Sequence, residues 1–140
     1  MDQFDVIQSD IHQQELALEA LEAAFYSDKK TLEEDFRALE AQRMALSHLY
    51  DEFGSLCYDF SRRDDCDSQT YRHFIGLLDT YTEATEYAFH KQLNLMNEKE
   101  DAFTAAYHRQ RSDMEDQLAV SYHERRKMAL DMEEERHRFY

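Results

Sequence analysis

Large apolar residues recur every seven positions through the first half of the chain. Counting from the fourth residue, the series is Phe4, Ile11, Leu18, Phe25, Leu32, Leu39, Leu46, Phe53 and Phe60. A strict seven-residue spacing keeps one stripe of a helix facing a partner helix, as in coiled coils. The spacing therefore predicts a first helix from about residue 2 to about residue 62.

A second series lies three residues after the first and has a different character. Its members are Ile7, Gln14, Leu21, Asp28, Asp35, Gln42, Leu49 and Leu56. The series is apolar at both ends and polar in the middle. We expect both series to face the partner helix, with bulky side chains of that helix filling the gaps beside the polar members.

The repeat stops at a cluster of aspartates and a serine, which compete with helical hydrogen bonding and favour turns and helix caps. The cluster runs Asp64-Asp65-Cys66-Asp67-Ser68. We expect a turn over about residues 63–68, with Asp67 or Ser68 capping a second helix. Apolar residues then recur at spacings of three and four, which predicts that helix over about residues 69–138.

A short loop between two long helices makes them antiparallel neighbours. Folding the chain at the turn brings Phe60 near Tyr71 and Phe53 near Leu78. The predicted fold is all-α: one domain over residues 1–140, formed by a long antiparallel two-helix hairpin that is coiled-coil-like.

A two-helix layer buries one stripe of each helix and little else. Several large apolar residues fall outside that stripe, which predicts a surface for a further helix. The alternative is that their long side chains fold over the edges of the hairpin. These candidate partner-binding residues are Leu16, Tyr26, Phe36, Met44, Tyr50, Tyr58, Tyr87 and Leu95.

Composition narrows the classes of partner and the location. The chain has no proline, two glycines and a net charge of −15, so nucleic acid and anionic lipid surfaces would repel it. No apolar run approaches the roughly 20 residues that span a bilayer. The first ten residues do not resemble a secretory signal. We therefore expect a cytoplasmic protein that does not insert into membranes, in which Cys57 and Cys66 are reduced thiols.

Candidate chemistry is sparse. Glu134 and His137 form one Glu-x-x-His pair, whereas helical di-iron sites need two such pairs and two further carboxylates. Cys57, Cys66 and His73 cluster near the turn without the tight ligand pairs of zinc sites. A hairpin also offers no enclosed cleft. The sequence thus predicts no catalytic residue, no metal and no cofactor.

Three parts of the sequence resemble a known protein family. They are the heptad arms, the stretch Phe53-Gly54-Ser55-Leu56-Cys57-Tyr58-Asp59-Phe60-Ser61-Arg62 and the start of the second helix, Thr70-Tyr71-Arg72-His73-Phe74. The chain is similar to the small helical proteins encoded beside LXG toxins in Gram-positive bacteria. These form a domain-of-unknown-function family related in shape to the WXG-type (ESX-like) helical hairpins. The resemblance covers nearly the whole chain and rests on pattern.

The resemblance implies a non-catalytic, chaperone-like targeting factor. It would bind the helical N-terminal LXG domain of a toxin, often with a second small helical protein, and promote export by a b-type type VII secretion system. The complex would be recruited to the secretion machinery, and whether this chain is co-exported with its partner, without a cleaved signal peptide, stays open. The alternative is a self-associating structural coiled-coil scaffold, and a homo-oligomer is also expected when the chain is alone.

Two features depart from the family pattern. The chain has no tryptophan, so the Trp-x-Gly turn is absent and Phe53-Gly54 is only an echo of it. The related export motif, an aromatic residue followed four positions later by a carboxylate, normally lies after the second helix. Here Phe60 and Asp64 place that spacing at the turn, so an export role for them stays open and the companion protein is the other candidate to carry the signal.

Overall fold

The computed structural model describes residues 2–63 and 67–139, and these form two long helices. Helix α1 spans Gln3–Ser61 and helix α2 spans Ser68–Phe139. The fold is an all-α helical hairpin, as the sequence predicts. Each helix begins and ends within one residue of the predicted positions. Asp64 and Cys66 lie outside the described residues.

Side-chain caps define where both helices begin. The backbone N–H of Asp5 donates to Oδ1 of Asp2 at 2.8 Å. The backbone N–H of Gln69 donates to Oδ1 of Asp67 at 3.1 Å. Each carboxylate satisfies an N–H group that has no partner within the helix and also interacts favourably with the helix dipole. The prediction that Asp67 or Ser68 caps the second helix is confirmed for Asp67.

The described chain divides into two compact units, and each unit contains one stretch of α1 and one stretch of α2. The terminal unit comprises Met1–Lys29 and Asp101–Tyr140, and the turn unit comprises Lys30–Glu100. The sequence predicts a single hairpin domain without this division. Each unit has its own packing and is described separately.

The terminal unit has a core in which both seven-residue series face the second helix. Ile7, Ile11 and Leu118 are buried at its centre. The ring of Phe25 stacks on that of Tyr107, with 3.9 Å between the ring centroids and 7° between the planes. Phe4, Leu18, Tyr122 and Met128 pack around the central cluster.

Polar contacts across the two helices fix the antiparallel orientation in the terminal unit. Glu22 forms an ion pair with Arg111 at 3.5 Å. Further toward the chain ends, Nη1 of Arg125 donates to the side-chain oxygen of Gln8 at 2.9 Å. Residues later in α2 thus contact residues earlier in α1, as they do in an antiparallel pair of helices.

The turn unit repeats the antiparallel arrangement with its own core residues. Leu32, Cys57, Phe89 and Met96 are buried there. Gly54 lies against Leu78: a Cβ atom built on the glycine would be 3.5 Å from Cδ2 of that leucine. The contact agrees with the predicted level of Leu78 opposite the neighbouring residue 53.

The stripe of α1 that faces α2 in the turn unit differs from the predicted one. Leu49 and Leu56 of the second series are 56% and 66% exposed, whereas Cys57 is 4% exposed and Tyr50 is half-buried. An α-helix with 3.6 residues per turn rotates by about 20° per seven residues relative to a strict heptad pattern. Over the length of α1 this drift moves the inward-facing positions one residue later in sequence, so the expectation that Leu49 and Leu56 face α2 is wrong.

Candidate protein-interaction face

One side of the turn unit exposes a continuous set of large apolar side chains, which we call the apolar face. The members on α1 follow each other at spacings of three and four, so they share one side of that helix. Leu46 and Leu95 line the same groove, so they lie on one side of the unit. Leu77 and Tyr81 precede Leu95 by about five and about four helical turns, so they share its side of α2. The apolar face consists of Leu46, Leu49, Phe53, Leu56, Leu77, Tyr81 and Leu95, all between 38% and 66% exposed.

Half of the apolar face is concave. An open groove of about 710 Å³ runs between the two helices there. Leu46 and Leu95 form its two rims, Ala88 widens it because its side chain is short, and Phe89 lies in its floor. We call this part the groove half. Asp35 and Lys99 also line this groove.

The other half of the apolar face lies closer to the end of α1. Leu49 and Leu56 project from α1 with more than half of their surface exposed, and Tyr81 projects from α2 with 59% exposed. Phe53 and Leu56 border a smaller recess that also contacts Arg63 near the end of α1.

Small or uncharged residues occupy many of the positions between the large residues of the apolar face, at Ala38, Gln42, Ala45 and, on α2, Ala84, Thr85, Ala88 and Gln92. Charged residues are also present: Asp35 and Lys99 line the groove, and Glu52 lies one helical turn from both Leu49 and Leu56. The opposite side of the turn unit is polar, where Asp51, Asp79 and Glu86 line one recess. Burial of an apolar surface is favourable, and small residues let a third helix approach closely.

A polar pair holds the two helices together beneath the groove half. The guanidinium of Arg43 donates two hydrogen bonds to the carboxylate of Glu86, at 3.2 Å and 3.1 Å. The same guanidinium lies 4.5 Å from the ring centroid of Phe89. These interactions with the Glu86 carboxylate raise the pKa of Arg43 above its ordinary value. The paired hydrogen bonds hold α1 and α2 together at the level of the groove floor.

The partner-binding residues expected from sequence occupy several positions in the turn unit. Leu95 belongs to the apolar face. Tyr50 is half-buried between the helices, with its hydroxyl 2.8 Å from Oγ1 of Thr85. Tyr58 lines a recess with Asp51 on the polar side. The remaining three are Met44 at 65% exposed, Tyr87 at 72% exposed and Phe36, which is half-buried.

Two further residues expected to bind a partner lie in the terminal unit. Leu16 is 50% exposed and Tyr26 is 62% exposed. The ring of Tyr26 packs edge-on against Phe25 at 5.7 Å between centroids. For these residues, as for those of the turn unit, a role in binding stays a prediction.

Sequence reasoning missed most of the apolar face because it assigned Leu46, Leu49, Phe53 and Leu56 to the contact between α1 and α2. The sequence did contain a signal for the observed arrangement, one residue after Leu49 and one residue after Leu56. Tyr50 and Cys57 offer a second inward-facing row at the same seven-residue spacing. A helix with two parallel apolar rows can bury one and expose the other, and the drift described above decides which.

The described residues also bear on the candidate metal site, the cysteines and membrane insertion. Across residues 2–63 and 67–139, no group of three or more His, Cys, Asp or Glu side chains is arranged to hold a metal ion. Cys57 is a buried free thiol. Neither helix, as far as the structure describes them, contains a stretch apolar enough to cross a membrane.

Comparison of the chain with protein-family models, with curated proteins and with solved structures finds no match.

Proposed function

We propose that this chain is a non-catalytic adaptor that binds the helical N-terminal LXG domain of a toxin and promotes the toxin's export by a type VII secretion system. A second small helical protein completes the complex in this proposal. Binding takes place in the cytoplasm, and the chain accompanies its partner toward the secretion machinery without a cleaved signal peptide. The proposal assigns no catalytic step to any residue.

The observation that carries the proposal is the exposed apolar face of the turn unit. Apolar side chains such as Leu49, Leu56 and Tyr81 are each more than half exposed, and they form one continuous surface. Monomeric soluble proteins rarely expose large contiguous apolar patches, and such patches commonly mark sites that bind other proteins. Its two parallel rows on neighbouring helices fit an amphipathic helix lying lengthwise between them.

The resemblance to proteins encoded beside LXG toxins supplies the identity of the partner. This choice of partner has physical support, because a helix of the LXG domain would supply the third helix that the two-helix surface lacks. The net charge of −15 keeps the remaining surface soluble and disfavours nucleic acid and anionic lipid as competing partners.

Co-purification with the LXG domain of the neighbouring toxin tests binding. We expect a stable complex with the wild-type chain and its loss with Leu49→Glu combined with Leu56→Glu. Val120→Glu is the matched control, since Val120 is similarly exposed at 59% but lies in the terminal unit, outside the apolar face. A double variant that binds as tightly as the wild type would contradict the proposal.

Secretion of the toxin tests the export role separately. Deleting the gene should lower the amount of toxin in the culture medium while leaving it in the cell extract. Reintroducing the wild-type chain or Val120→Glu should restore secretion, and the double variant should not. Unchanged secretion after deletion would exclude an export role even if the complex forms.

The second candidate function is a structural scaffold built by self-association. The apolar face favours it because any helical surface, including a copy of the same chain, could cover it. Sedimentation of the purified chain would then show large open assemblies that do not change when the LXG domain is added.

A further inference from the structure

The outer edge of the apolar face on α1 carries three exposed carboxylates. Glu52 lies one helical turn before Leu56, and Asp59 lines the recess that Leu56 borders. Glu34 lies one turn before Ala38, which lines the groove. Residues one turn apart share a side of a helix, so these carboxylates lie beside the face. We call Glu34, Glu52 and Asp59 the acidic edge.

Inside the groove, residues of opposite charge lie on the two helices. Asp35 lines the groove from α1, and Lys99 lines it from α2. Arg43 also lines the groove, but its guanidinium is hydrogen-bonded to both carboxylate oxygens of Glu86, which compensates its charge. Among the described groove-lining residues, Lys99 is therefore the cation that a ligand in the groove meets on the α2 side.

Other charged groups near the face leave this pattern of signs unchanged. His48 contacts one carboxylate oxygen of Glu52 at 3.1 Å, so the other oxygen can accept from a partner. Lys91 and Glu98 lie on the outer side of α2 and carry opposite charges. Arg63 borders the recess but follows the last residue of α1. The α1 side of the face is thus acidic along its length, and Lys99 marks the α2 side of the groove.

A single helix is the element that fits over the apolar face. The rims formed by Leu46 and Leu95 lie on neighbouring helices, and a third helix packed lengthwise between them contacts both at ordinary interaxial distances of about 8–10 Å. A strand or loop in this place would bring unpaired backbone N–H and C=O groups onto an apolar surface, whereas a helix pairs its own. One flank of that helix meets α1 and the other flank meets α2.

We propose that the partner at the apolar face is an amphipathic helix with a basic flank along the acidic edge of α1 and an acidic side chain opposite Lys99 of α2. This inference rests on the proposed function in taking the apolar face as the binding site, and it deepens that function by specifying the charge pattern of the partner helix. Opposite charges placed in this way add specificity to the burial of apolar surface.

Synthetic helical peptides of three heptads test the charge pattern. All carry leucine at the two apolar heptad positions and differ only on their flanks: the mixed peptide has lysine on one flank and glutamate on the other, the lysine peptide has lysine on both, and the glutamate peptide has glutamate on both. Fluorescence anisotropy of nanomolar labelled peptide measures binding to the full chain at 0.15 M ionic strength, where charges more than about 8 Å apart are largely screened.

We expect the mixed peptide to bind tightest, about threefold tighter than the lysine peptide, because only the mixed peptide places a carboxylate opposite Lys99. Attraction to the net charge of −15 would by itself favour the lysine peptide instead. Tightest binding by the lysine peptide, or binding by none of the three, would overturn the proposal.

Reversing the charge of Lys99 tests the α2 side. With Lys99→Glu, the lysine peptide should become the tightest ligand, because carboxylates then lie on both sides of the groove. Lys127→Glu is the matched control, since it makes the same change of charge at an exposed position of the terminal unit. An order of affinities that both variants change equally would refute a local role for Lys99.

Reversing the acidic edge tests the α1 side. Glu52→Lys combined with Asp59→Lys should let the glutamate peptide bind about tenfold tighter than it binds the wild type. Glu124→Lys combined with Asp131→Lys is the matched control, since both positions are exposed in the terminal unit, and it should have a much smaller effect. Equal gains for the two double variants would mean that the acidic edge does not contact the helix.

Two measurements locate the peptide. Leu49→Glu combined with Leu56→Glu should abolish binding of the mixed peptide while circular dichroism shows unchanged helix content. Sedimentation of the chain alone and with the mixed peptide tests whether a second copy covers the face. Undiminished binding by the leucine variant, or a homodimer that the peptide does not dissociate, would contradict the proposal.

None of these measurements needs the LXG domain. Peptides that bind in the expected order, together with an LXG domain that does not bind, would refute the adaptor function and leave the charge pattern standing. An LXG domain that binds at the apolar face, together with peptides that do not follow the order, would refute the charge pattern alone.

Discussion

Arg43 on α1 and Glu86 on α2 are joined by two parallel hydrogen bonds beneath the groove of the turn unit, at 3.2 Å and 3.1 Å. The paired geometry uses the fork of the guanidinium and both carboxylate oxygens, which a lysine cannot reproduce. The ring of Phe89 lies 4.5 Å from the guanidinium carbon and shields one face of the pair.

Arg43→Lys should therefore lower the thermal midpoint of the chain although it keeps the charge. Glu86→Gln should lower it as well. Because both residues serve one interaction, we expect the double variant to lose less stability than the two single variants together. Thermal unfolding followed by circular dichroism measures all three. Strictly additive losses would show that the two residues do not stabilise the fold through each other.

The stacked rings of Phe25 and Tyr107 predict a large packing effect in the terminal unit. Tyr107 is 5% exposed, so Tyr107→Ala should lower the free energy of unfolding by about 3 kcal/mol. Tyr107→Phe should cost much less, because the ring stack remains and only the contact of the hydroxyl with Arg111 at 3.3 Å is lost. Urea unfolding measures both changes.

Tyr87→Ala is the control for the stacked pair, since Tyr87 lies on α2 and is 72% exposed. Its effect should stay within about 0.5 kcal/mol. A loss for Tyr107→Ala no larger than that of the control would mean that the ring stack does not contribute to stability.

Gly76 in α2 predicts a stabilising substitution. It is exposed, lies inside the helix, and a Cβ atom there would have no neighbour within 4 Å. Gly76→Ala should raise the free energy of unfolding by about 1 kcal/mol because alanine loses less backbone entropy in a helix. Gly76→Pro should instead break the helix. A decrease in stability for the alanine variant in urea unfolding would show that α2 does not continue through this residue.

Tyr122 and Glu15 predict a response to alkaline pH in the terminal unit. The hydroxyl of Tyr122 donates to Oε1 of Glu15 at 2.9 Å. That hydrogen bond, with smaller effects of burial and of the carboxylate charge, raises the pKa of Tyr122 above its ordinary value, while Arg125 lowers it. We expect a spectroscopic titration to give Tyr122 a pKa above the ordinary tyrosine value of about 10, and Glu15→Gln to move that pKa down.

The raised pKa of Tyr122 also determines how the stability of the fold changes with pH. The folded chain holds the phenolic proton more tightly than the unfolded chain, whose tyrosine pKa is about 10. The stabilising contribution is therefore complete below pH ~10 and is lost as the pH rises through the higher pKa of the folded state. The stability difference between wild type and Tyr122→Phe should shrink over that range. A difference that stays constant would exclude the linkage.

Sequence alone located the two helices because helix formation depends on local chemistry. The absence of proline and the heptad spacing from Phe4 to Phe60 leave no competing structure over α1. Asp67 was also predictable as a cap, since a carboxylate before a helical segment satisfies its first N–H groups. The antiparallel levels, such as residue 53 near Leu78, followed from the short loop.

The tertiary structure decided which of two apolar rows on α1 faces α2. Leu49 and Leu56 compete with Tyr50 and Cys57 for that position, and both rows have the same spacing. Helical drift of about 20° per seven residues accumulates along α1, and packing against α2 resolves it differently near Ile7 than near Cys57. The position of the exposed face therefore depends on the sum of many small rotations and on the partner helix, which no local pattern contains.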